Sequence, residues 1–244
     1  MEKSLVSIIL TVYEIKVEYL KECIDCLLNQ TYQNFEIIII DDCSPKTDYS
    51  FLTTLSPKIK YYRNEVNLKM NKSVTKAFGL AKGDYIVRLG SDDIFDKDLL
   101  KKEVEFLDNN PEYGAVCCDL LRFGLKKEHI VRPKKWVLED IVQHRIFKGT
   151  GYAGGMMFRR ELLETCTIDE SLRMCEDFDF HLQMLQYTQI ASINETLYYY
   201  RSHETNLCKS VPKTERWDIL DKILGKYNSS TNHYKPVKST FLKF

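Results

Sequence analysis

Buried-strand patterns alternate with helical patterns along the first half of the chain, and this alternation limits the fold more than any other feature. Val6–Val12, Phe35–Ile40 and Tyr85–Leu89 are almost continuously apolar, as strands covered on both faces are. Between them, Val17–Leu28 and Asn71–Ala81 carry apolar residues at helical spacing. Strands that alternate with helices form a mainly parallel twisted sheet flanked by helices, so the sequence predicts an α/β fold.

The rest of the chain shows shorter and less regular patterns. Further strands are predicted at Ile59–Tyr62, Ala115–Leu121, Met156–Phe158 and Leu197–Tyr200. Further helical segments are predicted at Asp98–Leu107, Arg160–Leu163, Phe178–Tyr187 and Trp217–Leu224. Lys126–Lys135 is polar and basic and is predicted to be a loop. Because the sequence contains no internal repeat and no low-complexity linker, we expect one continuous domain with a C-terminal extension.

The charge balance argues against a nucleic-acid partner. Among 244 residues, 35 are Lys or Arg and 35 are Asp or Glu, so the basic excess that binds a phosphate backbone is missing. One close cysteine pair, Cys23 and Cys26, lacks the second pair that a structural zinc site needs, so reduced thiols are expected. The apolar run Leu5–Val12 is too short to cross a bilayer and has no cleavage site, so we expect a cytoplasmic protein.

Two pairs of carboxylates follow predicted parallel strands. Asp41 and Asp42 end the second strand, and Asp92 and Asp93 follow the strand at Tyr85–Leu89. Ligands of open α/β sheets bind outside the carboxyl ends of the strands, and Mg²⁺ often uses one or two carboxylates together with substrate phosphates. The pairs therefore indicate either a metal-bridged nucleotide or acidic residues that cap helices and form turns.

Two segments of the second half carry further candidate groups. Glu176–Asp179 holds three acids at the start of a predicted helix, which either favour the helix dipole or supply a general base. Arg201 and His203 follow an aromatic strand and point to the same side of an extended chain, which suits either a diphosphate and its metal or a solvated loop. Gly149–Gly154 matches the dinucleotide-binding glycine pattern, but it lacks the preceding buried strand and following helix that this motif requires.

In order along the chain, these segments resemble the pattern of glycosyltransferase family 2, whose members have a GT-A fold. The resemblance runs from Val6 to about Leu207. Its pieces are Val6–Tyr13, Leu28–Ser44, Asn67-Leu68, Leu80–Ile86, Ser91–Asp93, Glu176–Asp179 and Tyr200–His203. It implies a GT-A domain over 1–210, with a nucleotide-sugar-binding half at 1–110 and an acceptor-binding half at 111–210. A C-terminal helix and basic tail would follow over 211–244.

The resemblance implies an inverting transfer of a sugar from a nucleotide donor, a UDP-sugar by expectation, to a hydroxyl group of a glycan or lipid-linked acceptor. The pathway would be the biosynthesis of a surface polysaccharide or glycoconjugate. By position, Thr11 and Tyr13 would touch the nucleobase, and Asp42 would accept a hydrogen bond from uracil, with Asp41 supporting that turn. Asp92 would hold the ribose.

The same resemblance assigns the groups that act on the diphosphate and the acceptor. Asp93 would bind the Mn²⁺ or Mg²⁺ ion that bridges the diphosphate, and His203 with Arg201 would close over the diphosphate or its metal. Asp177 would be the general base. The sequence departs from the family at Gly90, where an Asp is usual, and at Lys69, where a Gly is usual; both departures bear on donor identity and metal dependence.

The acceptor side is expected between Lys126 and Gly155. Its candidates for stacking on sugar faces, each with a purely structural role as the alternative, are Trp136, His144 and Tyr152. The tail lysines Lys235, Lys238 and Lys243 indicate either a frayed tail or contact with the inner face of a membrane where a lipid-linked acceptor lies. Two alternatives are a non-catalytic partner that keeps the fold and binds a nucleotide-sugar, and a sugar-nucleotide pyrophosphorylase. A pyrophosphorylase would need a Gly-rich, Arg-containing loop after the first strand, and Thr11–Glu14 contains neither Gly nor Arg.

Overall fold

The structure is a computed structural model that describes residues 3–125, 128–131, 136–144 and 155–227. The Gly149–Gly154 motif, Tyr152 and the three tail lysines lie outside the described residues, as does the side chain of His144.

Four parallel strands form the first half of the sheet: β1 (Val6–Val12), β2 (Phe35–Asp41), β3 (Ile59–Arg63) and β4 (Tyr85–Arg88). Their order is β3-β2-β1-β4. The connecting helices are α1 (Val17–Leu28), between β1 and β2, and α2 (Met70–Leu80), between β3 and β4. All seven residues of β2 are buried, which explains why this strand reads as a continuous apolar run.

The second half continues the sheet with both strand directions. Its strands are β5 (Ile94–Phe95), β6 (Tyr113–Gly124), β7 (His129–Val131), β8 (Met157–Arg159) and β9 (Gln189–Ser202). Its helices are α3 (Leu99–Asn109), α4 (Leu138–His144), α5 (Glu176–Met184) and α6 (Lys213–Tyr227). Short 3-10 helices lie at Ser50–Thr54, Arg160–Glu164 and Leu207–Lys209.

The pairing of these strands makes one sheet across both halves of the chain. β8 lies between β4 and β6 and is antiparallel to both, whereas β6 and β9 are parallel. β5 pairs antiparallel with β9 at the far edge, and β7 pairs with β6. The mixed α/β sheet flanked by helices confirms the predicted fold class, with the parallel strands concentrated in the first half.

The sheet separates two apolar cores. Alternate residues of β1 enter opposite cores: Ile8 packs in the core that includes α1 and α3, and Ile9 in the core that includes α2, α5 and α6. The second core takes in Ile223 and Leu224 of α6, so the helix at the end of the described chain is a packed part of the domain. The described cysteines with placed side chains are free thiols.

Some elements differ from the sequence prediction. β9 is 14 residues long and begins well before Leu197, and β7 lies within the segment 126–135 that was predicted to be a loop. β5 was not predicted. β7 and β9 contain polar or exposed residues, and β5 is only two residues long, so pairing with β6 or β9 supplies the stability that their own sequences do not indicate.

Candidate active site

The predicted site residues meet at one edge of the sheet. β1, β2 and β4 are parallel, so their carboxyl ends share that edge. β8 is antiparallel to β4 and to β6, and β6 is parallel to β9, so the carboxyl end of β9 lies at the same edge. The Asp41–Asp42, Asp92–Asp93 and Arg201–His203 segments therefore come together although they are far apart in sequence.

Asp92 and His203 form a close polar pair at this edge. His203 Nε2 lies 2.6 Å from Asp92 Oδ2, and Asn206 Nδ2 donates to the same oxygen at 3.3 Å. The other ring nitrogen of His203 lies 3.0 Å from Thr205 Oγ1. These contacts orient the imidazole toward the carboxylate, although the imidazole itself is buried.

Asp93 has a different environment. Its side chain is 3% exposed, and its two oxygens accept hydrogen bonds from the Tyr198 hydroxyl at 2.5 Å and the Arg201 backbone amide at 2.7 Å. Burial, followed by the charge of Asp92, raises the pKa of Asp93 well above its ordinary value. A Cβ at position 90 would overlap Asp93 Oδ2, so the glycine that departs from the family pattern is the residue this conformation requires.

The sequence predicts that Asp93 and His203 both serve the metal, and this assignment stays a prediction. The structure pairs His203 with Asp92, while both oxygens of Asp93 are engaged by β9. Physically, the buried Asp93 joins the loop after β4 to β9, and Asp92 is the carboxylate on the side of the imidazole.

A divalent cation fits the Asp92–His203 pair as far as ligand chemistry is concerned. One carboxylate oxygen and one imidazole nitrogen are common ligands of divalent ions, and Mg²⁺ usually completes its shell with water and substrate phosphates. Among the residues that the structure describes, no group of three or more His, Cys, Asp or Glu side chains could hold a metal. Any cation here would thus take its remaining ligands from the donor and from water.

Arg201 is held in place by aromatic rings and polar groups. Its guanidinium lies 4.5 Å from the ring centre of Tyr19 and 4.8 Å from that of Phe123. Its Nε donates to the Asp92 carbonyl oxygen at 2.8 Å, and its Nη2 pairs with Glu22. Arg201 thereby ties α1 and β6 to the Asp92 loop, and it brings a cation to this edge.

Asp41 and Asp42 organise the loops beyond β2 and β3. Asp42 accepts hydrogen bonds from Asn64 Nδ2 at 2.9 Å and from the backbone amides of Leu68 and Lys69 at 2.8 and 2.9 Å. Asp41 accepts from the Tyr61 hydroxyl at 2.7 Å and the Arg63 guanidinium at 2.5 Å. Asp42 thus holds the loop before α2, which is the kind of structural role that the sequence left open beside nucleotide binding.

The two residues expected at the nucleobase lie at the end of β1. Thr11 is partly exposed and pairs in register with Ile40, next to Asp41 of β2. Tyr13 is 51% exposed, so its ring is available to a planar partner. The backbone amide of Asp42 donates to the Val12 carbonyl oxygen at 2.8 Å, which places both residues beside the Asp42 loop.

Asp177 lies in the first turn of α5. Its Oδ1 accepts a hydrogen bond from the Phe178 amide at 2.7 Å. Burial, followed by the charge of Glu176, raises the pKa of Asp177 to about 7, and the charge of Arg88 acts in the opposite direction. Arg88 is the last residue of β4, and its Nη2 lies 3.2 Å from Glu176 Oε1, so α5 begins beside the loop that carries Asp92.

The structure adds residues that the sequence did not single out. Tyr198, Asn206 and Tyr19 hold the three predicted groups Asp93, Asp92 and Arg201. The one sequence signal that includes any of these residues is the aromatic run Tyr198–Tyr200 before Arg201, from which only a strand was predicted.

Trp136 does not have the environment of a sugar-stacking residue. It is 2% exposed, its Nε1 donates to Ser192 Oγ at 3.3 Å, and its ring meets His181 edge-on at 5.6 Å. A ring this deeply buried belongs to the core, so the expectation that it stacks on an acceptor is wrong.

Within the residues described, no helix has the length and apolar character needed to cross a membrane.

Comparisons with known proteins match this architecture. The model of the family described as Glycosyl transferase family 2 matches residues 7–167. An uncharacterized glycosyltransferase of Methanocaldococcus jannaschii is 28% identical over 76% of this chain and 66% of its own length. One from Haemophilus influenzae is 29% identical over 91% of this chain and 77% of its own length.

Solved structures show the same fold. The crystal structure of Staphylococcus aureus TarS residues 1–349 in complex with UDP-GlcNAc superposes with a TM-score of 0.71 at 18% identity, covering 94% of this chain and 76% of that one. The same segment in complex with UDP gives a TM-score of 0.68 at 18% identity, covering 94% of this chain and 75% of that one. With the family model matched across most of the sheet, the chain belongs to glycosyltransferase family 2.

Proposed function

We propose that this glycosyltransferase moves a sugar from a UDP-sugar to a hydroxyl group of a glycan or lipid-linked acceptor, with inversion at the anomeric carbon. The observation that carries the proposal is the position of Asp177. A carboxyl group whose pKa is raised to about 7 begins a helix that Arg88 ties to the strand before Asp92. A general base works best when its pKa lies near the working pH.

The choice of a uridine diphosphate donor is supported by the TarS complexes with UDP-GlcNAc and UDP, which share this fold. In our proposal Tyr13 and Thr11 contact the base, beside the turn that Asp42 organises. Asp92 and His203 face the diphosphate, and Asp93 keeps their loop in position. The expected pathway, polysaccharide or glycoconjugate biosynthesis, stays a prediction. The expected cytoplasmic location and the contact with a membrane stay predictions as well.

The proposed reaction is one displacement. The acceptor oxygen forms a bond to the anomeric carbon while the bond from that carbon to the diphosphate oxygen breaks, and the electron pair leaves with the diphosphate. Asp177 takes the proton of the acceptor hydroxyl at a carboxylate oxygen, a contribution typically of about 10²–10⁴-fold in rate. A Mn²⁺ or Mg²⁺ ion held by Asp92 and His203 would supply positive charge for the leaving group.

The proposal predicts how activity depends on pH. The base accepts a proton only when it is ionised, and the pKa of Asp177 is raised to about 7. We therefore expect kcat/KM to increase with pH up to about 7 and to level off above it. A rate profile between pH 5 and 9 checks this expectation, and a profile already flat at pH 5 would contradict it.

Donor binding and turnover can be separated with three variants. We expect UDP with Mn²⁺ to raise the melting temperature of the wild-type chain and of Asp177→Asn, but not of Asp92→Ala. At 100 times the dissociation constant, a ligand adds about 2.7 kcal/mol of stability. Transfer from UDP-sugars should be lost in Asp177→Asn. Full turnover by Asp177→Asn would refute the assignment of the base, and stabilisation by a different nucleoside diphosphate alone would refute the uridine donor.

A further inference from the structure

One ion pair joins the two halves of the chain beside the proposed base. Arg88 ends β4, in the half that carries Asp92, and Glu176 begins α5. Arg88 Nη2 lies 3.2 Å from Glu176 Oε1. The Glu176 side chain is 5% exposed and the Arg88 side chain 26%, so the pair is shielded from water and from salt more than a surface pair is.

The neighbour of this ion pair is Asp177. Two adjacent carboxyl groups repel each other when both are ionised, and a nearby cation decides where the negative charge settles. Arg88 Nη2 contacts the Glu176 carboxylate at 3.2 Å, so the cation lies against that residue and not against Asp177. Asp177 Oδ1 instead accepts a hydrogen bond from the Phe178 amide at 2.7 Å. The negative charge of Glu176 repels a negative charge on Asp177 and raises the pKa of Asp177.

The other titratable groups near Asp177 affect its protonation less than the Arg88–Glu176 ion pair does. Burial raises the pKa of the preceding Cys175 to about 12, so this thiol is uncharged near neutral pH. Arg216 of α6 acts on that thiol. The charges with the largest effect on the pKa of Asp177 are those of Glu176 from its own helix and Arg88 from β4.

We propose that Arg88 is a positioning residue for the proposed base, which acts by holding Glu176 in an ion pair so that Asp177 is the carboxyl group left to exchange a proton. This inference rests on the proposed function only for its consequence in catalysis. The ion pair and the division of roles between the two carboxyl groups belong to the chain itself and can be measured without a substrate.

The test is an NMR titration of the full chain labelled with ¹³C at the aspartate carboxyl groups. The resonance missing from Asp177→Asn identifies Asp177. Glu176→Gln removes the repelling charge and leaves Arg88, so the titration midpoint of Asp177 should fall by about one pH unit. Adding Arg88→Met to Glu176→Gln removes the cation as well, so the midpoint should rise again.

The double variant is also the safeguard against misfolding, because it removes both charges together and leaves no unpaired buried ion. Glu176→Gln with Arg88→Lys is the matched control: it keeps the cation, so its midpoint should stay near that of Glu176→Gln alone. A purely structural ion pair would leave the Asp177 midpoint unchanged in all of these variants, and that result would overturn the proposal.

Failure of this proposal and failure of the proposed function give different results. If the midpoints do not move while Asp177→Asn still abolishes transfer, the role of Arg88 is refuted and the base assignment stands. If the midpoints move as expected while Asp177→Asn keeps full transfer, the ion pair controls protonation as proposed and the base assignment is refuted.

Discussion

At the scale of single residues, backbone strain is concentrated in the loops around the candidate site. Among the residues that the structure describes, the non-glycine residues with positive φ are Glu14, Cys43, Lys69 and Cys175, at 49°, 64°, 72° and 62°. Glu14 follows β1 and Cys43 follows β2, whereas Lys69 directly precedes α2 and Cys175 directly precedes α5. Such conformations cost about 1–3 kcal/mol each and persist where the surrounding structure fixes them. Here the fixing contacts at Lys69 include its own amide bond to Asp42.

Lys69 offers a test of this strain. Its φ of 72° and ψ of 161° lie in a region that essentially only glycine adopts. We expect Lys69→Gly to raise the free energy of unfolding by about 1 kcal/mol, since the relief of strain exceeds the extra chain entropy of glycine in the unfolded state. Urea unfolding measures the change. Lys69→Ala removes the charge but keeps the Cβ, so equal stabilisation by both variants would show that strain is not the cause.

A second residue, Glu103 of α3, is costly for a different reason. It is fully buried, and neither carboxylate oxygen has a hydrogen-bond partner in the described part of the chain. Burial raises the pKa of Glu103 well above its ordinary value of 4.5. The folded chain therefore keeps a proton that the unfolded chain loses above that pH, and stability falls as pH rises from 4.5 toward the folded-state pKa.

The predicted consequence is a pH-dependent gain from Glu103→Gln. Because the amide does not titrate, the variant should become more stable relative to wild type as pH rises from 5 to 8, by up to about 1.4 kcal/mol per pH unit. Urea unfolding at several pH values measures the difference. Glu105→Gln on the same helix, at an exposed position, is the control and should follow the wild type. A difference that does not change with pH would contradict a protonated Glu103.

At the scale of elements, α6 is part of the core. It buries Ile223, Leu224 and Tyr227, and the Tyr227 hydroxyl donates to Asp179 Oδ1 at 3.0 Å. Lys226 adds ion pairs to Asp169 at 2.7 Å and to Asp179 at 3.0 Å. Since Asp179 belongs to α5, these contacts fix the helix that carries Asp177.

The packing of α6 predicts a large effect of one substitution. Ile223 has no exposed surface, so Ile223→Ala should lower the free energy of unfolding by about 2–5 kcal/mol. The neighbouring Lys222 points outward, and Lys222→Ala should change stability by less than about 0.5 kcal/mol. Chemical denaturation of both variants compares them. Equal effects of the two would mean that α6 is not packed on the sheet as described.

The elements also show which parts of the fold the sequence could predict. Because β1 and β2 are covered on both faces, their sequences are continuous apolar runs. The bounds of both strands were therefore predicted to within one residue. The first part of β9 mixes Gln189, Ser192, Asn194 and Glu195 with apolar residues, and β-bulges shift its register against β6. Its stability comes from the partner strand, which a local pattern does not contain.

At the scale of the whole molecule, the topology explains what the sequence could predict about the site. Strand ends can be predicted from a sequence, and the rule that parallel strands present their carboxyl ends at one edge placed Asp41 and Asp92 at the edge where the structure has them. His203 was placed there only by the family resemblance. Which side chain meets which depends on atomic distances. The sequence could not predict that His203 pairs with Asp92 or that Asp93 is buried against Tyr198.

The same topology has a consequence for the order of events during synthesis. Asp93 is held by Tyr198 and Arg201, which follow it by 105 and 108 residues, and Asp92 meets His203 after 111 residues. β4 likewise lacks its outer neighbour until β8 has been made. A chain still on the ribosome therefore carries the first strands of the sheet long before it has the residues of the proposed diphosphate site, which are complete only with its last third.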